Sequence, residues 1–314
     1  MAQAAGDRSF IAMDTVMAIR APSASEDVID ECESLAHLME ACFSVTIDDS
    51  QIARLNRGEC VELSPLAQDL LSFALDMCEQ TEGRIDISVY PIVKAWGFTN
   101  KTYRIPEEDE IKTLLQYVDY RKVALSDTMT LPEGMMIDLG AFAKGYLADE
   151  MCRILKENGV NSALINLGGN IYCIGNKENG DSWRVGIQDP RNRDSYFAVC
   201  SITDSAIITS GGYERYFEQD GKRYSHIFDP MTGHPVDNGI LSVTVIGKSA
   251  SVCDALSTAL TVMGTEQAAE WLETRNDCEV IILTENSVLV TAGLKGSFSL
   301  YGDYAGMQIK WIER

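Results

Sequence analysis

The sequence contains no closely paired cysteines, no long apolar run and few basic residues. Its nine cysteines are scattered without a CxxC pair, and their odd number argues against a disulfide framework or a zinc cluster. No window reaches the apolar length of a membrane span. Lys and Arg together number 26 against 47 Asp and Glu, giving a formal net charge of −21. That charge disfavours electrostatic binding to nucleic acid or to an anionic membrane.

Targeting signals, nucleotide-binding glycine motifs and linkers are also missing from the pattern. The first residues lack the basic and apolar regions of a signal peptide, and no lipobox cysteine stands near them. Neither a Walker A loop nor the Rossmann glycine pattern is present. Repeats and Pro/Ser-rich linkers are absent, so we predict one compact domain over 1–314, with 1–8 as a flexible N-terminal extension.

Hydrophobic periodicity predicts interspersed helices and strands without a regular βαβ rhythm. The pattern favours the α+β class with mixed or antiparallel sheets flanked by helices. Predicted helices begin near Glu26, Pro65 and Pro106 and cover Phe142–Asn158, Ser251–Met263 and Glu266–Thr274. The predicted strands are Ile11–Arg20, Tyr120–Leu125, Met135–Leu139, Ala163–Leu167, Ile171–Ile174, Trp183–Gln188, Phe197–Ile202, Ala206–Thr209, Arg223–Phe228, Leu241–Ile246, Val280–Leu283, Ser287–Thr291 and Met307–Trp311.

Asp254 and Thr258 lie four residues apart in a predicted helix. This spacing places a carboxylate and a hydroxyl on one helical face, and such hard oxygen ligands suit Mg²⁺. The alternative is structural: the helix dipole would favour Asp254 in the first turn, and Thr258 would bond back to a helix carbonyl. Without further context the spacing favours the structural alternative.

The segment Asp138–Tyr146 predicts a strand that ends in Asp138, a turn at Gly140 and a helix whose first turns carry Lys144. Backbone N–H groups at a helix start, together with an ammonium group, can bind an anion. Asp138 is placed to accept hydrogen bonds from a ribose or a ring. In Asn166–Asn170 two glycines allow either close approach of a ligand or merely a hairpin bend, and the alternatives are evenly balanced.

His226 stands at the mouth of a turn and is one of three histidines. An imidazole there can transfer protons near neutral pH, although a hydrogen-bonded residue at a strand end is the simpler interpretation. The aromatic residues around Gly97, Trp96 among them, would either flank a flat ring or pack in the core.

Taken together, these segments resemble the ApbE family, the FAD:protein FMN transferases. The resemblance runs in order through Met13–Thr15, Asp49–Ser50, Leu55–Asn56, Asp86–Phe98, Asp138–Tyr146, Asn166–Asn170, Trp183–Pro190, Ser210–Gly211, Ser225–Gly233 and Asp254–Thr258. It implies a T-fold-related domain. It also implies an enzyme that cleaves the FAD pyrophosphate with Mg²⁺, attaches FMN through a phosphoester to a Thr or Ser of a target flavoprotein, and releases AMP.

The resemblance also implies roles for individual residues. His226 is the catalytic base that helps deprotonate the acceptor hydroxyl. The implied Mg²⁺ ligands are Asp254 and Thr258, with the backbone carbonyls of Ala141 and Ser257. The implied FAD contacts are Met13, Trp96, Gly97, Asp138, Lys144, Ser210, Gly211, His226 and Ile227. The implied partners are FAD and a flavoprotein subunit of a membrane redox complex, and the implied location is the periplasmic or outer side of the bacterial cytoplasmic membrane.

Three positions differ from the pattern of the ApbE family. Thr46 stands where many members have an aromatic residue, Met231 replaces a basic residue, and Asp14 replaces the Gly of Met-Gly-Thr. Two alternative functions stay open: a Mg²⁺-dependent pyrophosphatase that converts FAD to FMN and AMP, and a non-catalytic protein that binds or delivers FAD. A cytoplasmic location stays open as well.

Overall fold

The computed structural model describes residues 6–314 of the chain, which divides into two compact units. Among the described residues, unit 1 comprises the segments 6–37, Lys144–Tyr213 and Asn238–Arg314, and unit 2 comprises Leu38–Ala143 and Glu214–Asp237. The single domain over 1–314 stays a prediction.

Seven α-helices and eighteen strands make up the described part of the chain. The helices are α1 Glu26–Phe43, α2 Gln51–Asn56, α3 Pro65–Gln80, α4 Tyr90–Ala95, α5 Glu108–Leu115, α6 Ala143–Glu157 and α7 Ala250–Glu273. The strands are β1 Asp7–Ala12, β2 Thr15–Arg20, β3 Val61–Glu62, β4 Thr128–Met129, β5 Ala163–Leu167, β6 Asn170–Ile174, β7 Trp183–Asp189, β8 Asn192–Ile202, β9 Ser205–Ser210, β10 Tyr216–Gln219, β11 Lys222–Ser225, β12 Phe228–Asp229, β13 His234–Pro235, β14 Ile240–Gly247, β15 Cys278–Thr284, β16 Val288–Thr291, β17 Phe298–Leu300 and β18 Ile309–Ile312.

Unit 1 is built on a nine-stranded sheet in the order β1-β2-β5-β6-β9-β14-β15-β16-β18. Every pairing in it is antiparallel except that of β16 with β18. A second sheet, β17-β8-β7, belongs to the same unit. Trp183–Asp189 alternates strictly between buried and exposed residues, as expected for a strand with one face in the core. The buried face of β7 shares a hydrophobic core with inward residues of the large sheet.

Helix α7 packs against β9 and β14 of the large sheet. Ser249 caps its N-terminus by accepting a hydrogen bond from the Val252 N–H. The helix is kinked at Gly264, whose φ of 78° and ψ of 169° are not helical. This break explains why the sequence pattern predicts two helices, Ser251–Met263 and Glu266–Thr274.

Unit 2 holds α2, α3, α4 and α5 with three short strand pairs, β3-β4, β10-β11 and β12-β13. Its aromatic core comprises Trp96, Phe98 and Phe228 with Ile92 and Ile111. Helix α3 begins where the sequence predicts, because Ser64 accepts a bond from the Ala67 N–H and Pro65 occupies the first helical position.

Two of the predicted strands in unit 2 are wrong. Tyr120–Leu125 contains a single 3₁₀ turn, Tyr120–Lys122. Met135–Leu139 forms no regular element, because the Asn56 side-chain amide bonds both backbone groups of Ile137, at 2.7 and 2.8 Å. A side chain thus takes the place of a neighbouring strand, and Asp138 does not end a strand.

Two further strand predictions need new boundaries. Ile11–Arg20 is the hairpin β1–β2, because Met13 and Asp14 adopt φ values of 50° and 57° that turn the chain. Arg223–Phe228 divides into β11 and β12, with His226 in the break.

The predicted flexible extension over 1–8 is also corrected where the structure describes it. Asp7 and Arg8 begin β1 and pair with Arg20 and Ile19, and 1–5 lie outside the described residues. The Arg8 guanidinium also bonds three carboxylates of the α1 region, which holds this strand end in place: Glu26, Asp30 and Glu33.

The nine cysteines behave as the scattered pattern predicts. None forms a disulfide, and seven are buried. Burial raises the pKa of the Cys78 and Cys200 thiols to about 12, so these side chains stay neutral and act as small apolar residues. Within 6–314, no helix is both long and apolar enough to cross a membrane.

Candidate functional site

Asp254 lies in the second turn of α7 and is 5% exposed. Its Oδ2 accepts a hydrogen bond of 2.8 Å from the Gly145 N–H near the start of α6. Burial raises the pKa of Asp254, while the nearby Lys144 ammonium and the Gly145 N–H oppose the rise. The carboxylate therefore lies outside the first turn of its helix, where the structural alternative places it.

Thr258 lies one turn further along α7, and its hydroxyl is 3.2 Å from the Ser210 Oγ at the end of β9. The Ser210 Oγ is also 2.7 Å from the Ser257 Oγ. The described contacts of the Thr258 hydroxyl include no bond back to a helix carbonyl, which was the alternative for this side chain. Ser210 and Asp254–Thr258 thus form a cluster of oxygen atoms on one face of α7.

The cluster depends on two residues that the sequence analysis missed, Gly145 and Asp149. A Cβ on Gly145 would lie 2.5 Å from the Ala250 carbonyl oxygen and 2.6 Å from the Asp254 Cβ, so only glycine lets α6 approach α7 this closely. Asp149 accepts bonds from the N–H groups of Ala250 and Ser251, at 2.7 and 2.9 Å, and so caps α7. Both contacts join segments about one hundred residues apart, which no local signal reveals.

The donor set of this cluster suits a hard cation. The Gly145 N–H bonds one of the two Asp254 carboxylate oxygens, and hydroxyl oxygens stand on the same helical face. The Asn170 amide is 5% exposed and near enough to Asp254 to oppose the rise in its pKa. Within 6–314 no group of three or more His, Cys, Asp and Glu is arranged to hold a metal, so a cation here would draw on hydroxyls, carbonyls and water. The Ser257 carbonyl already accepts a bond of 2.7 Å from the Thr261 hydroxyl.

Asp138 and Ala141 belong to unit 2, which ends its first segment at Ala143, and Lys144 belongs to unit 1. The Asp138 backbone N–H donates to the Ile87 carbonyl, and its Oδ1 accepts from the Gly140 N–H, both at 2.8 Å. Asp138 is therefore held in a turn stabilised by its own side chain.

His226 follows β11 and is oriented by one carbonyl group. Its Nδ1 and its backbone N–H each lie 3.0 Å from the Arg215 carbonyl oxygen. A carbonyl oxygen only accepts hydrogen bonds, so Nδ1 carries a proton, and in the neutral ring Nε2 is the basic nitrogen. His226 is therefore a hydrogen-bonded residue at a strand end, as the simpler interpretation predicts. It also has a defined basic atom, which proton transfer requires.

Trp96 is 1% exposed and lies in the aromatic core of unit 2. Its indole N–H donates to the Gly233 carbonyl at 3.1 Å. The core alternative thus describes this ring in the structure. Gly97 has a φ of 82°, and a Cβ there would lie 2.0 Å from the Thr102 carbonyl oxygen, so the residue serves a tight turn. The FAD contacts of Trp96 and Gly97 stay predictions.

The other predicted FAD contacts lie in connections between strands. Met13 occupies the β1–β2 turn in a left-handed conformation. Asp14 shares that conformation, which a glycine would adopt more readily. Gly211 follows Ser210 and would place a Cβ 2.3 Å from the Tyr213 ring. Ile227 is buried, and its carbonyl accepts a bond of 2.8 Å from the Val236 N–H.

The other two departures are both at exposed positions. Met231 is 69% exposed and borders a cleft of about 400 Å³ in unit 2, with Glu79, Glu82 and Asp119 among its lining residues. Thr46 is exposed and bonds Ser44 through their hydroxyl groups.

Comparison with known proteins decides the family. The sequence profile of the ApbE family matches residues 13–282. The chain belongs to the ApbE family. Family membership was predicted from the residues, and it is confirmed.

Curated relatives and solved structures agree with this assignment. The FAD:protein FMN transferase of Treponema pallidum (strain Nichols) is 34% identical over 291 residues, which covers 85% of this chain and 80% of that protein. The FAD:protein FMN transferase of Escherichia coli K12 is 34% identical over 235 residues, covering 71% and 67%. These names confirm the predicted transferase class.

The ApbE protein of Thermotoga maritima superposes with a TM-score of 0.85 at 30% identity, covering 93% of this chain and 98% of that one. The flavin transferase ApbE from Vibrio cholerae superposes at 0.80 with 28% identity, covering 95% and 97%. The predicted α+β class of an ApbE-like fold is confirmed.

Proposed function

We propose that this ApbE protein is a Mg²⁺-dependent FAD:protein FMN transferase. The observation that carries the proposal is the buried Asp254 on one face of α7, held by the Gly145 N–H and accompanied by Lys144 and the Thr258 hydroxyl. A carboxylate costs free energy when it is buried. Its retention beside hard oxygen donors favours cation binding over a purely structural role.

Asp254 and Thr258 would hold Mg²⁺, with Ser210 beside them and the Ala141 and Ser257 carbonyls as further predicted ligands. The cation would neutralise negative charge that develops on the FAD pyrophosphate. Lys144 would attract the same phosphates from the first turn of α6. Asp138, Met13, Ser210, Gly211 and the backbone near Trp96, Gly97 and Ile227 would contact FAD.

His226 would act as the general base through Nε2, because Nδ1 is committed to the Arg215 carbonyl. The hydroxyl oxygen of an acceptor Thr or Ser attacks the phosphorus on the FMN side of FAD. The bond from that phosphorus to the bridging oxygen breaks, and AMP leaves with the bridging oxygen. The hydroxyl proton passes to His226, and the product is a phosphoester of FMN.

The partner would be a flavoprotein subunit of a membrane redox complex, and the chain would work on the periplasmic or outer side of the bacterial cytoplasmic membrane. Both parts of this proposal rest on the ApbE resemblance.

The test mixes the protein with FAD and Mg²⁺, with and without an acceptor domain that carries a candidate Thr. AMP release is measured by chromatography, and the mass of the acceptor is checked for added FMN. An adduct that forms with Mg²⁺ but not with EDTA is expected, and an acceptor with Val in place of the Thr should stay unmodified. AMP without an adduct identifies the pyrophosphatase, and FAD binding without either product identifies a delivery protein.

The variant His226→Gln should lower transfer by about 10²–10⁴-fold while FAD binding stays within a factor of about two. The matched control is His37→Gln, because His37 is a half-exposed histidine of α1. Transfer at the normal rate by His226→Gln would remove His226 from the mechanism.

A further inference from the structure

Arg215 contributes two separate contacts around His226. Its carbonyl oxygen accepts from both the His226 backbone N–H and Nδ1, each at 3.0 Å. These bonds extend the β10–β11 ladder by one step beyond the Tyr216–Ser225 pair. Two donors of His226 meet this single oxygen, so the carbonyl contacts both the backbone and the ring of His226.

The Arg215 side chain anchors that carbonyl to the core of unit 2. Its Nη2 donates to the Phe98 carbonyl oxygen at 3.0 Å. Phe98 is 1% exposed, and its ring packs edge-to-face on Phe228, so this acceptor lies on a rigid part of the unit. A hydrogen bond from a charged donor is also stronger than one between neutral groups.

We infer that Arg215 is a positioning residue, which holds His226 in the tautomer protonated at Nδ1 with Nε2 basic. The guanidinium fixes the strand end against Phe98, and the carbonyl of the same residue fixes the ring. The catalytic significance of this arrangement rests on the proposed role of His226 as general base. The tautomer itself can be measured without any activity assay.

The spectroscopic test uses ¹⁵N-labelled protein at about pH 8.5, where unperturbed imidazoles are neutral. The chain has three histidines, so long-range ¹H–¹⁵N spectra contain three ring systems, and His37 and His234 serve as internal references. We expect the Nδ1–H tautomer for His226 in the wild type. Arg215→Gln should shift His226 towards the Nε2–H tautomer, and Arg215→Lys, which keeps a charged donor, should shift it less.

The control is Arg223→Gln, which removes another arginine of the same hairpin. Arg223 pairs with Glu218 and lies over the Tyr216 ring, so this variant tests for general loosening of the β10–β11 pair. It should leave the His226 tautomer unchanged. Thermal melting of each variant shows whether the fold is intact, and Arg215→Lys remains informative if Arg215→Gln does not fold.

Kinetics separate positioning from binding. Arg215→Gln should lower kcat of FMN transfer about 10–100-fold, as expected for a displaced catalytic group, with KM for FAD changed less than about twofold. An unchanged His226 tautomer in Arg215→Gln would overturn the inference. If KM for FAD also rose in that variant while kcat stayed the same, Arg215 would be a substrate contact. A changed tautomer with unchanged kcat would support the positioning and refute the proposed role of His226.

Discussion

Replacement of Gly145 by alanine tests the close approach of α6 to α7. The new Cβ would lie 2.5, 2.6 and 2.8 Å from the Ala250 oxygen, the Asp254 Cβ and the Ser251 Cα. These atoms belong to the backbone or lie next to it, so they cannot rotate away. Alanine is favoured over glycine inside a helix by about 1 kcal/mol, but overpacking of this kind costs about 1–3 kcal/mol or more. Strain on the Gly145 N–H bond to a buried carboxylate adds to the cost.

We therefore expect Gly145→Ala to lower the free energy of unfolding by about 2 kcal/mol, measured from urea denaturation midpoints at constant slope. The Mg²⁺ concentration for half-maximal FMN transfer should rise, because Asp254 moves. The control is Gly159→Ala at the other end of α6. Its φ is 79°, and nothing lies within 4 Å of the added Cβ, so this variant loses about 1–2 kcal/mol at an unchanged Mg²⁺ requirement. Wild-type stability and an unchanged Mg²⁺ titration in Gly145→Ala would refute the reasoning.

Three further predictions concern single residues. Asp254→Asn should abolish Mg²⁺-dependent transfer, yet the variant should be more stable than wild type in EDTA at pH 7. Burial raises the pKa of Asp254 above 3.8. The folded wild type therefore gains stability relative to the variant as the pH falls through that raised pKa, and the urea midpoints of the two proteins should converge near pH 3.8. Equal midpoints at pH 7 would contradict this expectation. Asp149→Ala should lower the free energy of unfolding by about 1–2 kcal/mol, because α7 loses a cap, and the urea denaturation midpoint should fall. Ser249→Ala, which removes the other side-chain cap of α7, serves as the comparison. Trp96→Phe should lower the free energy of unfolding by about 1–2 kcal/mol, because the buried Gly233 carbonyl loses the indole N–H that bonds it. FAD affinity, measured by fluorescence titration, should stay within twofold of wild type. A large loss of affinity would indicate that the ring contacts the ligand.

Local sequence signals predicted most helices and most strands of unit 1, whereas β17 was not predicted. Ala163–Leu167 matches β5 at both ends, and the Ser64–Pro65 pair marks the start of α3. Such elements carry their own caps and alternation. The hairpin turn at Met13 and Asp14 escaped because the pair is not a usual turn sequence, although both residues adopt positive φ.

Contacts between distant segments explain what the sequence could not predict. Asn56 replaces a strand neighbour at Ile137, so an apolar segment that reads as a strand forms none. The pairing of Asp149 with the α7 N-terminus and the fit of Gly145 against Ala250 are likewise long-range. The candidate site was predicted through the ApbE resemblance, whereas the residues that support it became visible only in three dimensions.

The order of strands in the large sheet affects how the protein can be made. β1 begins at Asp7 and β18 ends at Ile312, yet both belong to one sheet at its opposite edges. β14, which pairs with both β9 and β15, is synthesised after more than two thirds of the chain. During vectorial synthesis on the ribosome, the β1–β2 hairpin must wait for β5, which lies more than 140 residues later, and β9 must wait for β14, each with an apolar face exposed. Nascent chains of this protein should consequently depend on chaperone protection until α7 and β14 have emerged.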